Sequence, residues 1–153
     1  MSRVPRDLGA SIRVEVRGLS RGNPGLSGAG VIVRDSNGRI LERAADFLGA
    51  STPIRSEYEA VLRGLMAGLR LRPSSITLVL SDEAVWRQLT GVSHACLPET
   101  ASHLSDIGGL IQGDTPIEIN LVDPEEVEQA EHLANLAVES RGRRLGGDDG
   151  ILL

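Results

Sequence analysis

From Ile12 to Arg17 the chain alternates without a break: Ile12, Val14 and Val16 are branched and apolar, while Arg13, Glu15 and Arg17 are charged. A period of two puts the first set on one face of a strand and the second on the other, so the domain opens with a half-buried β-strand. Gly22-Asn23-Pro24-Gly25 ends it with turn residues. Ala29 to Arg34, through Val31, Ile32 and Val33, reads as a second strand, and Asp35-Ser36-Asn37-Gly38 is a hairpin signal. Arg39 to Leu48 returns as a third strand, which completes an antiparallel meander.

The period then changes. Tyr58, Val61, Leu62, Leu65, Met66 and Leu69 recur at helical spacing, predicting a helix over about 54–71 with one apolar face and Pro73 just beyond its end. Ile76 to Leu80 is a short apolar run, suited to a strand covered on both faces. Helices are expected over about 82–90 and 99–112, the second with Leu104, Ile107 and Ile111 on one side. Ile117, Ile119 and Leu121 mark a fifth strand. A last helix runs to about Glu139, with Asp123 as N-cap and Pro124 as its first residue. The order βββαβααβα predicts an α/β fold: a mixed five-stranded sheet, antiparallel meander then βα crossovers, with helices on both faces. Residues 1–10 read as an N-terminal extension, 11–140 as the domain and 141–153 as a flexible, Gly-rich tail.

A chain of 153 residues with 41% apolar and 24% charged residues can bury one sizeable core. No apolar run approaches the roughly 18 residues of a membrane span, so no membrane association is expected. The first ten residues lack a secretory apolar stretch, and Cys96 is the only cysteine; a reducing, cytoplasmic setting is expected. The net charge of −5 conceals an asymmetry. Residues 1–72 hold 12 Arg and 7 acids, whereas 73–153 hold 4 Arg and 14 acids. That acidic second half argues against a protein gripping nucleic acid on all sides. Three aromatics, Phe47, Tyr58 and Trp86, offer little surface for base stacking.

Five segments, in order and on the expected elements, carry a resemblance. They are Ser20-Arg21-Gly22-Asn23-Pro24-Gly25, Gly28-Ala29-Gly30, Ser56-Glu57-Tyr58-Glu59-Ala60, Arg87-Gln88-Leu89-Thr90-Gly91 and Leu133-Ala134-Asn135. Together they resemble the ribonuclease H family, in its short type-1 form without a basic protrusion, over about residues 11–139. The resemblance implies hydrolysis of the RNA strand of an RNA–DNA hybrid by four carboxylates. Two Mg²⁺ ions roughly 4 Å apart would bridge the attacking water and the leaving oxygen, and such hard cations need clustered oxygen ligands.

Laid on this sequence, the four carboxylate positions are altered. The family pattern D-G-x-S-R-G-N-P-G sets Arg17 where its first Asp stands. Glu57 matches the second acid. The D-S at the end of the fourth strand becomes Ser81-Asp82, and Glu131 replaces the Asp of the last helix. A guanidinium cannot ligate a cation and stays protonated. Arg17 is therefore expected to pair with Glu57, and with Glu131, as a structural substitute for metal; the alternative is a solvated edge residue beside Arg13 and Glu15. Asp82 reads as the N-cap of the following helix, since a one-residue shift along a strand reverses the direction of a side chain. Glu131 falls on the stripe set by Val127, Ala130, Ala134 and Ala137, where a carboxylate is costly unless paired; Glu125, Glu126, Glu128 and Glu139 on the same helix leave a solvated role open.

Other family features are absent. Paired Asn residues ahead of the second acid are Pro53 and Ile54 here, and the His-bearing stretch before the last helix is Leu121-Val122-Asp123-Pro124. His132 is expected to face away. His94, Cys96 and His103 match no standard zinc spacing. Asp148 and Asp149 read as solvated.

Two readings follow. In one, the domain is impaired or inactive as a nuclease and is kept for binding, either to RNA–DNA hybrid or other nucleic acid, weakly, through Arg13, Arg17, Arg21, Gly22 and Asn23, or to a protein partner or a second copy. No cofactor is then expected. In the other, it is a metal-dependent ribonuclease H that uses Mg²⁺ or Mn²⁺ at Glu57, Asp82 and Glu131.

Overall fold

A computed structural model describes residues 9–93 and 98–141. The N-terminal extension up to residue 8, His94, Cys96 and the tail from 142 lie outside the described residues. The meander forms as β1 (Ser11–Ser20), β2 (Gly25–Arg34) and β3 (Ile40–Ser51), followed by α1 (Pro53–Leu69), β4 (Ser75–Leu80), α2 (Glu83–Leu89), α3 (Ala101–Ile111), β5 (Ile117–Leu121) and α4 (Glu128–Ser140). The sheet order is β3-β2-β1-β4-β5. β1 pairs antiparallel with β2 and parallel with β4, and β4 pairs parallel with β5. The expected mixed five-stranded α/β sheet is therefore observed.

The alternation in β1 sorts the two faces. Ile12, Val14 and Val16 pack into the main core with Tyr58, Val61 and Leu65 of α1, Val85 of α2 and Ile107 of α3. On the opposite face, α4 covers β2 with Ala130 and Leu133 against Ile32.

Close approach of backbones explains two departures from the sequence expectations. β2 begins at Gly25 rather than Ala29, because Gly28 and Gly30 belong to it despite their weak strand propensity. A Cβ at Gly30 would lie 1.9 Å from the Ala130 carbonyl oxygen, and one at Gly28 would lie 2.4 Å from that of Ala134. Only glycine lets α4 lie this near the sheet. The buried face of α1 is also rotated from the expected stripe. Glu57, Ala60 and Gly64 are buried, while Met66 is 49% exposed. Gly64 draws the helix onto Val14 and Val16, where a Cβ would meet their methyl groups at 2.9 and 2.5 Å.

The last helix opens differently from expectation. Pro124–Val127 forms a 3₁₀ turn, in which the Asp123 carbonyl accepts from Glu126 N at 2.9 Å. The Asp123 side chain makes no cap hydrogen bond, and the α-helix proper starts at Glu128. Similarly, a 3₁₀ turn at Pro98–Thr100 leads into α3.

Candidate functional site

β1 and β4 stay in register from Ser11–Ser75 to Glu15–Val79. β4 ends at Leu80, but β1 runs on to Ser20. Arg17 thus projects beyond the last paired residues, at the carboxyl end of the parallel strands, where open α/β sheets characteristically build their sites. Gly18 brings the first turns of α1 onto this strand: a Cβ there would lie 2.1 Å from the Ser56 carbonyl oxygen. Thr52 starts the helix by accepting from Arg55 N through its side chain, with Pro53 in the first turn. Glu57 follows one turn later, facing β1.

Glu57 is 0% exposed. Its Oε1 accepts from Gly18 N at 2.8 Å and from Arg17 Nη1 at 3.4 Å. Its Oε2 is buried with no hydrogen-bond partner among the described residues. Arg17 Nη1 also donates to the Gly18 carbonyl at 2.6 Å, and the Arg17 side chain is 29% exposed. Burial pushes the Glu57 carboxyl up to about 7, and the charge of Asp82 pushes the same way; the Gly18 hydrogen bond and the Arg17 charge oppose them. Desolvation wins because the guanidinium touches one oxygen at long range and gives its shorter bond to a carbonyl. The expected Arg17–Glu57 pair is present, so Arg17 is not a solvated edge residue.

Asp82 caps α2, its Oδ1 accepting from Val85 N at 3.1 Å. Ser81, half-buried, precedes it. Glu131 is half-buried on α4, and it makes no ion pair or hydrogen bond with Arg17 or any other described residue; the second partner expected for Arg17 is not observed. Among the described residues, no group of three His, Cys, Asp or Glu side chains is placed to hold a metal ion. The donor set does not fit the metal pair that the family resemblance implies: a permanent cation contacts the one matching carboxylate, and Asp82 is turned to a backbone amide.

The remaining basic residues of interest are engaged within the fold. Arg13 contacts Glu15 at 3.0 Å and Glu126 at 3.3 Å. Arg21 donates to Asn135 at 2.9 Å and reaches Glu139 at 3.3 Å. The loop after Arg21 holds Gly22 at φ +146°, a backbone angle favouring glycine, with Asn23 exposed. Ser20 Oγ braces it, 2.6 Å from the Gly22 carbonyl oxygen and 2.9 Å from that of Ser51.

Two polar clusters escaped the sequence reading. Glu15, 4% exposed, takes guanidinium contacts from Arg13 and from Arg34 at 2.9 Å. Its signal was the unbroken charge alternation on a strand that would be central. Glu59 of α1 joins His103 Nε2 at 2.7 Å and Arg63 at 3.1 Å, and Arg63 reaches Asp46 at 3.2 Å. Partial burial works to raise the Glu59 carboxyl, but the His103 and Arg63 hydrogen bonds outweigh it and hold the group below its ordinary value. His132 is exposed, as expected.

The five-stranded mixed sheet and its helices agree with the fold of the family suggested by sequence. A family model described as "Reverse transcriptase-like" matches residues 15–137. The chain belongs to this ribonuclease H-like family. A ribonuclease HI of Halobacterium salinarum is 29% identical over 136 residues, covering 89% of this chain and 68% of the relative. The crystal structure of RNase H1 from that archaeon superposes with a TM-score of 0.82 at 27% identity, covering 86% of this chain and 99% of the other. LC11-RNase H1 in complex with an RNA/DNA hybrid gives 0.79 at 27% identity, covering 85% and 98%. No described helix is long and apolar enough to cross a membrane.

Proposed function

We propose that this ribonuclease H-like domain binds RNA–DNA hybrid and does not cleave it. The observation that carries the reading is the Arg17–Glu57 contact, a fixed positive charge 3.4 Å from a buried carboxylate. Two unit charges 4 Å apart interact by about 4 kcal/mol at an effective dielectric of 20, so a guanidinium repels a divalent ion by roughly the amount a carboxylate would attract it. Glu57, pushed up to about 7, is also partly neutral near physiological pH, which weakens it further as a cation ligand. Hybrid is favoured as the ligand because LC11-RNase H1, of the same fold at 27% identity, is solved with one. The Ser20–Gly25 loop and the exposed parts of Arg17 and Arg21 offer amide and guanidinium donors on one side of the sheet end.

The competing reading is a metal-dependent hybrid nuclease using Glu57, Asp82 and Glu131. It is favoured by the retained burial and position of Glu57 on the family scaffold. Incubation of the protein with end-labelled RNA–DNA hybrid in Mg²⁺ and in Mn²⁺, with a chelator control, separates the two. The expected outcome is a shifted but intact hybrid whose binding weakens steeply with salt. Metal-dependent scission of the RNA strand sinks the proposal, and absence of binding at low salt sinks it in a different way, by leaving protein recognition as the role of the fold.

A further inference from the structure

The two edges of the sheet are guarded unequally. β5 has five residues, and Trp86 Nε1 donates to its Ile119 carbonyl at 3.1 Å. β3, at the other edge, has 12 residues, and none from Ile40 to Ala50 is buried. Strand edges are ordinarily kept from pairing by outward charges, bulges or shortness. In β3 the acids are drawn away to α1, Glu42 to Arg70 at 3.3 Å and Asp46 to Arg63 at 3.2 Å. Its two bulges fall at Leu41 and Leu48, which leaves 42–47 regular. Open space follows this stretch on both faces, about 540 Å³ beside α4 and about 360 Å³ beside α1.

Two side chains of the stretch are unspent. Arg43 is exposed and makes no ion pair or hydrogen bond among the described residues. Phe47, the one Phe of the chain, is half-buried and packs into neither core cluster. Both point to the α4 side with Ala45 between them, since Ala45 and Phe47 lie opposite Gly30 and Gly28, the glycines beneath α4. Glu42, Ala44 and Asp46 point to the α1 side.

A second copy of β3 can pair antiparallel about a two-fold axis normal to the sheet. Such an axis keeps each residue on its own face, so it must pass beside a single residue. Beside Glu42, Arg43 or Asp46 it sets that charge against its own copy, and beside Ala44 it sets Glu42 against the partner's Asp46; like charges directly opposite are destabilising. Beside Phe47 it forces pairing through the bulge at Leu48. Beside Ala45 no like charges meet: Ala45 faces its own copy, Ala44 faces the partner's Asp46, and Arg43 faces the partner's Phe47. A guanidinium over an aromatic face is a favourable contact. Glu128 lines the groove at the Arg43 end of β3, and the two-fold carries its copy to the opposite end of the strand pair, where Glu139 already holds Arg21. His132 enters no pair. At about 4.8 Å between strands, β2 lies about 7 Å from the axis, so the two α4 helices above β2 stand about 14 Å apart and do not collide.

We propose that two copies of this chain pair through β3, antiparallel and centred on Ala45, so that the two five-stranded sheets become one and each Arg43 covers the partner's Phe47. This contact is independent of hybrid binding, since the end of β1 takes no part in it.

The test is sedimentation velocity of the full chain up to high micromolar concentration. A species of twice the 16.3 kDa chain mass is expected. Phe47→Arg sets a guanidinium against the partner's Arg43 and should weaken the dimer at least about tenfold. Adding Arg43→Glu to that variant sets opposite charges across the same pair and should recover the wild-type Kd. A wild type that stays monomeric, a dimer indifferent to Phe47→Arg, or a folded double variant that remains monomeric overturns the proposal. Hydrogen exchange on the wild type reads the contact without any substitution: alternate amides of 42–47 should slow as concentration rises, and exchange that stays fast at every concentration overturns it as well.

Discussion

Glu15 and Glu57 are both buried, on opposite faces of one sheet, and their charges are met in opposite ways. Glu15 has Arg13 at 3.0 Å and Arg34 at 2.9 Å, contributed by β1 itself and by its antiparallel neighbour. Glu57 has one guanidinium at 3.4 Å, one backbone amide and one oxygen without a partner. The first arrangement is a satisfied ion cluster that ties the sheet to the 3₁₀ turn before α4 through Glu126 and to α4 itself through Gln129. The second is an under-satisfied acid at the end of the parallel strands, where burial dominates and raises its pKa. A fold tolerates such an acid where function has shaped the site, and here the acid faces a cation supplied by the protein itself.

The contrast is broken most severely by deleting the satisfied acid. Glu15→Ala leaves two part-buried guanidiniums facing each other, and a loss of about 3–5 kcal/mol in urea unfolding is expected, the usual scale for removing one partner of a buried ionic cluster. The next effect is a pH dependence. Glu57 has a folded-state pKa raised from 4.5 to about 7, so the folded protein holds its proton more tightly than the unfolded chain does. Its favourable contribution is complete below pH 4.5, falls as pH rises and is gone above about 7, a change of about 3 kcal/mol. Thermal unfolding of the wild type between pH 4.5 and 7 should follow this fall, and Glu57→Gln should remove that part of the slope and be the more stable of the two at pH 8.

A smaller effect tests the substitute cation. Arg17→Asp places like charges beside Glu57 and Asp82, so the variant should melt lower in chelator and gain stability in Mn²⁺, by about 2.7 kcal/mol at a hundredfold excess over Kd. An unchanged melting curve in both conditions shows that Arg17 does not hold Glu57. Asp82→Ala, which removes the cap on α2, should cost about 1 kcal/mol. Smallest is Arg21→Ala: its pairs with Asn135 and Glu139 are solvent-exposed, and a loss under about 1 kcal/mol is expected.

The same two glutamates show what the sequence carried. Glu57 was legible because it sits in a run of residues with a family precedent, and Arg17 was legible as a basic residue at a fixed distance from the Gly22–Gly25 turn. Glu15 was placed on the correct face by alternation, but its second partner, Arg34, comes from cross-strand register, Arg13 opposite Arg34, which a strand pattern alone leaves open. The role of Asp82 as a cap was readable because caps are local. Glu131 was not: an acid on a helical stripe can pair or reach water, and rotation of α4 about its axis decides between them. The rotated face of α1 was hidden for a related reason, since Gly64 contributes nothing to an apolar count and yet sets where the helix comes to rest.

The pairing of β1 with β4 also bears on the order of assembly. β1, β2 and β3 join through short turns, so the meander needs only local loop closure, while Ser11 meets Ser75 across 64 residues. Sequence-distant pairings of this kind are slow to close. On a ribosome, the hairpins can form before β4 has left the exit tunnel, and Arg17 then waits in an exposed edge strand. The ion pair at the end of β1 needs α1 as well as the meander, so it reports the docking of that helix on the sheet and not the pairing of β4.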